Sequence, residues 1–267
     1  METEKYLLQV KNISKYFEMP AGAKNHVLED INLAFRYSKE SGQIISILAP
    51  FGSGKTTLLR IMAGLEKPTS GEIIFNGENY NRSLRKIIYI PEKPSSFPWF
   101  NVKQNLTFAS EINTKNNFDK SINEIIYLVG LAGYENHFPN NDSIGFRFRI
   151  SLARALVVKP DFIIIDDSFK KLDFETKEEI YHLINNVVIK LNINIIIATT
   201  NISSAIKHSD SIFLMKKDPG YIFHELKVRK EPGERLILKP GDISKIKEEV
   251  ETLLKSKNLI DEISFTI

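Results

Sequence analysis

Apolar positions along the chain follow two periods, and the switches between them outline the fold. Ile44-Ile45-Ser46-Ile47-Leu48 is a short apolar run halted by Ala49-Pro50, which predicts a buried strand entering a glycine-rich turn. From Thr56 to Leu65, Leu58, Leu59, Ile61, Met62 and Leu65 repeat at helical spacing, with Gly64 near the end and Pro68 as the stop. Gly71 to Gly77 predicts a strand closing on a turn, and Ile87 to Ile90 another strand stopped by Pro91. Between 97 and 158 the strand signal gives way to helical patterning. There Asn101 is the expected N-cap for Val102 onward, and Ser121-Ile122-Asn123-Glu124 reads as a capping box. Strands are predicted at Phe162–Ile165 and Ile193–Ala198, with a helix over 174–191 between them. That order is a βαβ unit of a parallel sheet. Ser211 to Met215 adds a further strand. After Lys216 comes a turn, Asp218-Pro219-Gly220, and then an amphipathic helix over 242–254 with Ile243, Ile246, Val250 and Leu253 on one face.

Composition narrows the class of protein more than it names one. The 267 residues are 42% apolar and 26% charged, enough to bury a core and too ordinary for wholesale disorder. With 36 Lys+Arg against 33 Asp+Glu the net charge is +3, which gives no reason to expect nucleic acid. Cysteine is absent, so disulfides, thiol catalysis and cysteine-ligated metals are excluded. The longest apolar runs, 162–165 and 195–198, are far too short to cross a bilayer. The first residues lack a basic stretch followed by an apolar segment, so a cytosolic protein without a signal peptide is expected.

The chemistry begins at Ala49-Pro50-Phe51-Gly52-Ser53-Gly54-Lys55-Thr56-Thr57, a glycine-rich turn between strand and helix with the layout of a phosphate-binding loop. Gly52 and Gly54 let backbone amides turn inward around an anion, and the following helix N-terminus adds its positive dipole end. Lys55 is placed to reach β/γ-phosphates, and the Thr56 hydroxyl to hold Mg²⁺. The leading glycine of the pattern is Ala49 here, where some backbone strain is expected. The apolar run Phe162-Ile163-Ile164-Ile165 delivers Asp166 and Asp167 at its C-terminal end, the edge where open parallel sheets bind ligands. An aspartate there can hold Mg²⁺ opposite Thr56.

In this order the motifs resemble the nucleotide-binding domain of ABC transporters over roughly residues 5–220. Gly64-Leu65-Glu66-Lys67-Pro68-Thr69-Ser70-Gly71-Glu72 and Ser151-Leu152-Ala153-Arg154-Ala155-Leu156 carry the likeness. Phe97-Pro98-Trp99 and Asp218-Pro219-Gly220 look most like importers of the nitrate, sulfonate and taurine group. The resemblance implies an α/β fold: a P-loop NTPase (RecA-like) core with a parallel sheet, an antiparallel β portion and an inserted helical subdomain. It implies an ATP-binding domain over 1–215, the helical subdomain at about 97–158, and a C-terminal extension over 216–267. It also implies ATP and Mg²⁺ as cofactors, Phe17 as the aromatic on adenine, and Ser143 and Gly145 as the signature turn presented to nucleotide on a second ATP-binding subunit. That second subunit is either identical or different. The implied site is peripheral on the inner face of the cell membrane, through an integral-membrane permease.

Several positions depart from the family pattern. The second acid is Asp167 where glutamate is usual, one methylene shorter. An attacking water would sit about 1–1.5 Å further back, a misplacement that costs on the order of 100-fold. The switch histidine aligns with Thr200, which cannot carry charge. The Q-loop glutamine aligns with Glu92, able to bind Mg²⁺ but adding negative charge beside phosphate. In the signature turn, Asp142 and Ile144 replace smaller or neutral residues, with Asp142-Ser143 equally readable as a helix N-cap. Asp173 matches the D-loop aspartate. Three readings follow: an importer ATPase with Asp167 as a weak positioning base, a hydrolysis-poor nucleotide clamp beside a competent partner, or a soluble ABC-type ATPase without a transporter.

Overall fold

The computed structural model describes residues 6–36, 42–80, 87–93, 95–111, 119–139, 143–166, 169, 171–229 and 238–263. Among them, two sheets pack against each other across a hydrophobic core. Strands β1 (Tyr6–Glu18), β2 (Lys24–Arg36), β4 (Ser70–Phe75) and β5 (Glu78–Asn79) form an antiparallel sheet in the order β2-β1-β4-β5. Strands β3 (Ile44–Leu48), β6 (Ile87–Ile90), β7 (Phe162–Asp166), β8 (Asn194–Thr199), β9 (Ser211–Lys216) and β10 (Tyr221–Lys227) form the second sheet, in the order β10-β9-β3-β8-β7-β6. All its pairings are parallel except the β9–β10 hairpin.

The apolar runs of β3 and β7 are explained by burial on both faces, the rule for parallel strands under helices. Successive residues of β7 and β8 serve different cores. Ile163, Ile165, Ile195 and Ile197 pack with helices α2 (Val102–Glu111), α3 (Asp119–Leu128), α4 (Ile144–Val157) and α5 (Phe174–Leu191). Their neighbours Phe162, Ile164, Ile196 and Ala198 pack with α1 (Lys55–Met62) and the antiparallel sheet. Three phenylalanines, Phe35, Phe162 and Phe213, meet edge to face at 5.8 Å between the two sheets.

Asn101 caps α2 reciprocally: its Oδ1 accepts from the Gln104 amide at 2.8 Å, and Gln104 Oε1 accepts from the Asn101 amide at 2.9 Å. The capping box expected at Ser121–Glu124 is corrected, because α3 already includes Asp119 and places Ser121 inside the helix. The tail helix, α7 (Pro240–Lys255), is slightly longer than expected and buries Val250 and Leu254. Ile243, Ile246 and Leu253 pack around them against α6 (Ile202–His208), β9 and β10. None of the described helices is long and apolar enough to cross a membrane.

A buried histidine makes the fold acid-sensitive. His208 closes α6, stacks on Tyr181 at 4.0 Å and 5°, and in its neutral form donates from Nε2 to Glu178 at 3.2 Å. Burial holds its pKa down at about 4, against the opposing pull of Glu178 and with help from Lys207 and His182. The unfolded chain, with an ordinary histidine near 6.5, therefore binds more protons than the folded one between pH 6.5 and 4. Stability is full above pH 6.5 and is lost as pH falls through that window, by up to about 3 kcal/mol at ~1.36 kcal/mol per pKa unit. Thermal melts from pH 7.5 to 4.5 should show this slope, and His208→Gln should flatten it.

Candidate functional site

The C-terminal ends of the parallel strands converge on one cleft of about 340 Å³. Residues 51–57, between β3 and the first turn of α1, form its floor, and Val27, Glu92 and Asp166 close its sides. The loop needs glycine at its turning points: Gly52 and Gly54 hold φ of 79° and 85°. A Cβ at Gly54 would also lie 2.9 Å from both Val27 Cγ1 and Leu28 Cδ2, so β2 packs directly against the loop.

Lys55 is buried, and its ammonium is held within the loop, donating to the carbonyls of Ala49 and Pro50 at 2.8 Å each. Thr56 Oγ1 donates to Asp166 Oδ2 at 2.8 Å, linking the first turn of α1 to the end of β7. The same carboxylate oxygen accepts from the Tyr89 hydroxyl at 2.8 Å. Burial, and next the hydrogen bond to Asp166, push the Tyr89 phenol well above its ordinary pKa, so it remains a donor. Tyr89 and Val27 were not anticipated from the chain. For Tyr89 the available signal was its place on β6, three residues before Glu92.

The structure places most of the anticipated residues. Ala49, Pro50, Phe51, Gly52, Ser53, Gly54, Lys55, Thr56, Thr57, Glu92 and Asp166 come together in or directly behind the cleft. The strain expected at Ala49 does not arise, since its φ is not positive. Its amide donates to Thr199 O at 3.2 Å as the sheet continues one residue past β3. Phe51 is 81% exposed at the tip of the loop. Thr200 follows β8 beside the loop, half-buried, but does not line the cleft. Phe17 stands on the β1–β2 hairpin opposite Asn25, with the Lys15 ammonium 4.7 Å from its ring, and is not among the residues lining the cleft. Ser143 is the N-cap of α4 and accepts from the Phe146 amide at 3.2 Å. Gly145 in the first turn of α4 lies against Thr176 of α5. Asp173 caps α5, accepting from the Thr176 amide at 2.9 Å and from its hydroxyl at 2.7 Å, which holds its carboxyl below the usual range. Asp142 and Asp167 lie outside the described residues.

The donor set suits an anion carrying a hard cation. Inward-turned glycine backbone and a lysine ammonium favour phosphate oxygens, and a hydroxyl 2.8 Å from a carboxylate offers two oxygen ligands to Mg²⁺. The site is thus chemically matched to a phosphate group with a bound divalent cation. No group of three or more His, Asp or Glu arranged for a metal occurs among the described residues.

Comparison with known proteins agrees with this geometry. Residues 29–170 match the family described as ABC transporter. The aliphatic sulfonates import ATP-binding protein SsuB of Bacillus cereus (strain ZK / E33L) is 32% identical over 229 residues, spanning 85% of this chain and 88% of that protein. The taurine import ATP-binding protein TauB of Roseobacter denitrificans (strain ATCC 33942 / OCh 114) is 30% identical over 223 residues, 83% and 82% of the two chains. Among solved structures, cbiO1 from Clostridium perfringens shares the fold over 97% of this chain and 100% of its own, with TM-score 0.74 at 24% identity. The dimeric post-hydrolysis ATP-binding cassette MJ0796, bound to ADP and Pi, gives TM-score 0.72 at 26% identity, over 84% of this chain and 100% of that one. The fold is that of an ABC ATPase cassette, an α/β core joined to an antiparallel sheet and helices. The chain belongs to the ABC transporter family.

Proposed function

We propose that this chain is the ATP-binding subunit of an importer, binding Mg-ATP and coupling it to an integral-membrane permease at the inner face of the membrane. The observation that carries the reading is the convergence of Lys55, Thr56 and Asp166 at one phosphate loop. Relatives named as sulfonate and taurine import ATP-binding proteins, matched over most of their length, support the importer class. A second ATP-binding subunit completes the site, as the dimeric cassette relative suggests.

In this reading Lys55 exchanges its two loop carbonyls for phosphate oxygens and neutralises their charge. Bound Mg²⁺ would supply Lewis-acid polarisation of the phosphate. Thr56 and Asp166 hold it, with Glu92 at the rim, and Tyr89 fixes the Asp166 carboxylate from behind through its phenol. Asp167 positions the attacking water as a base shorter than optimal. Weak hydrolysis, and a clamp role beside a competent partner, is the second reading. It is favoured by a cleft lined by two acidic residues, Glu92 and Asp166, with Thr200 outside its wall.

Permease contact is assigned to the segment between β6 and α2. Trp99 is 66% exposed within an aromatic cluster, 5.5 Å from Phe97, which itself packs on Phe100 and Phe108. Residues 97–101 are tied down by Asn105, fully buried, which donates to the carbonyls of Phe97, Phe100 and Asn101 and accepts from the Phe97 amide. Such a pre-ordered, exposed aromatic suits a partner surface. Where the neighbouring genes encode a polytopic membrane protein, co-expression with it should yield a complex that survives detergent purification. Trp99→Ala should cut its recovery severalfold, since an interfacial aromatic contributes on the order of 2 kcal/mol. A gene neighbourhood without such a protein, and no complex, would instead support a soluble ABC-type ATPase.

A further inference from the structure

The turn between β9 and β10 lies directly behind the phosphate loop, and Gly220 is where they touch. A Cβ built on Gly220 would lie 2.1 Å from the Ser53 carbonyl oxygen and 3.1 Å from that of Val27. Both are backbone atoms that cannot swing aside as a side-chain tip would. A third neighbour, Met215 Cε at 2.5 Å, is flexible and less decisive. The Gly220 amide donates to Val27 O at 2.9 Å, and its carbonyl accepts from the Glu29 amide at 2.9 Å. One residue thus clips the turn to β2, the strand whose Val27 and Leu28 also confine Gly54.

Through these contacts, we propose that Gly220 is a positioning residue for nucleotide binding: it seats the peptide between Ser53 and Gly54. The peptide unit is planar, so the Ser53 carbonyl and the Gly54 amide move together. A carbonyl pushed outward at residue 53 turns the amide of residue 54 away from the anion it would face. Only the absence of a side chain at 220 lets the turn approach this closely. The turn continues to the tail through an ion pair between Lys217 and Glu262 at 2.6 Å. This proposal rests on the reading of residues 51–57 as an ATP site.

Gly220→Ala in the full chain tests it, with Gly77→Ala as the matched control. Gly77 has φ of 87° and nothing within 4 Å of an added Cβ, so alanine there strains a backbone without touching the loop. Calorimetric titration with Mg-ATP should show Kd raised at least tenfold by Gly220→Ala and less than twofold by Gly77→Ala, even where both lower Tm alike. Hydrogen exchange without nucleotide should be faster across 51–57 in the Gly220 variant only. If that exchange is unchanged, Gly220 does not position the loop. If it is faster while wild type fails to bind Mg-ATP, the positioning stands and the ATP reading fails. Should Gly220→Ala not fold, the wild type still decides. Added Mg-ATP should slow exchange at the amides of Gly220 and Glu29 together with 51–57, and loop protection without turn protection would overturn the proposal.

Discussion

Replacing Lys55 by alanine is expected to raise the Kd for Mg-ATP on the order of 100-fold while leaving the ligand-free melting temperature nearly unchanged. The two halves of this expectation have one cause. The Lys55 ammonium is buried and donates to the carbonyls of Ala49 and Pro50 at 2.8 Å, so the free protein holds a largely desolvated charge against these backbone oxygens. Burying that charge is costly, and alanine removes the cost together with the bonds, so stability changes little. With phosphate present the balance shifts, because a charge-assisted bond to an anion contributes roughly 1.5–3 kcal/mol. About 2.8 kcal/mol corresponds to the expected 100-fold, at ~1.4 kcal/mol per decade. Lys55→Arg should not rescue binding, since a planar fork does not fit where a compact ammonium is gripped by adjacent carbonyls. Calorimetry with Mg-ATP and Mg-ADP reads the affinity, and an unchanged Kd would remove Lys55 from the site.

How far the chain itself foretold this site depends on the distance over which each feature is encoded. The phosphate loop is local: strand, glycines, lysine and hydroxyl occupy adjacent positions, and the structure brings 51–57 together as their spacing suggests. Asp166 was legible because an apolar strand must end somewhere, and parallel strands end on the same side. Tyr89 was not, because a phenol on a half-buried strand gains meaning only when β6 pairs with β7 and brings it to Asp166. Val27 and Gly220 meet the loop only through the joining of two sheets, a contact that no short window of residues encodes. Ser121 shows the opposite failure, where a plausible local signal yields to a helix that begins earlier. The tail helix was readable by period, yet its target was not: α7 covers α6, β9 and β10, elements separated from it in the chain.

The departures from the family pattern lead to the second large effect. Asp167→Glu combined with Thr200→His is expected to raise the ATP turnover of the purified chain at least tenfold, about 1.4 kcal/mol of barrier. Thr200 follows the end of β8, whose Thr199 pairs in register with Leu48 just ahead of the phosphate loop. A side chain at 200 therefore starts beside the loop, but a threonine hydroxyl reaches only its near surroundings, whereas an imidazole extends further and can donate to a phosphate oxygen. At 167 the extra methylene of glutamate moves the carboxylate forward by about 1–1.5 Å, the scale at which positioning changes rates on the order of 100-fold. The two changes should be cooperative, because a positioned base accelerates little when the phosphate opposite it is unrestrained. Each single variant should then gain less than a third of the double variant's increase. Glu92 bounds the gain, since it lines the cleft with Asp166 and its charge opposes the build-up of negative charge on phosphate. Adding Glu92→Gln to the pair should raise turnover again. Single-turnover measurements with radiolabelled ATP, at saturating Mg²⁺, separate the chemical step from binding. Brisk hydrolysis by the unaltered chain without any partner would overturn the clamp reading, since Asp167 and Thr200 would then suffice for catalysis as they stand.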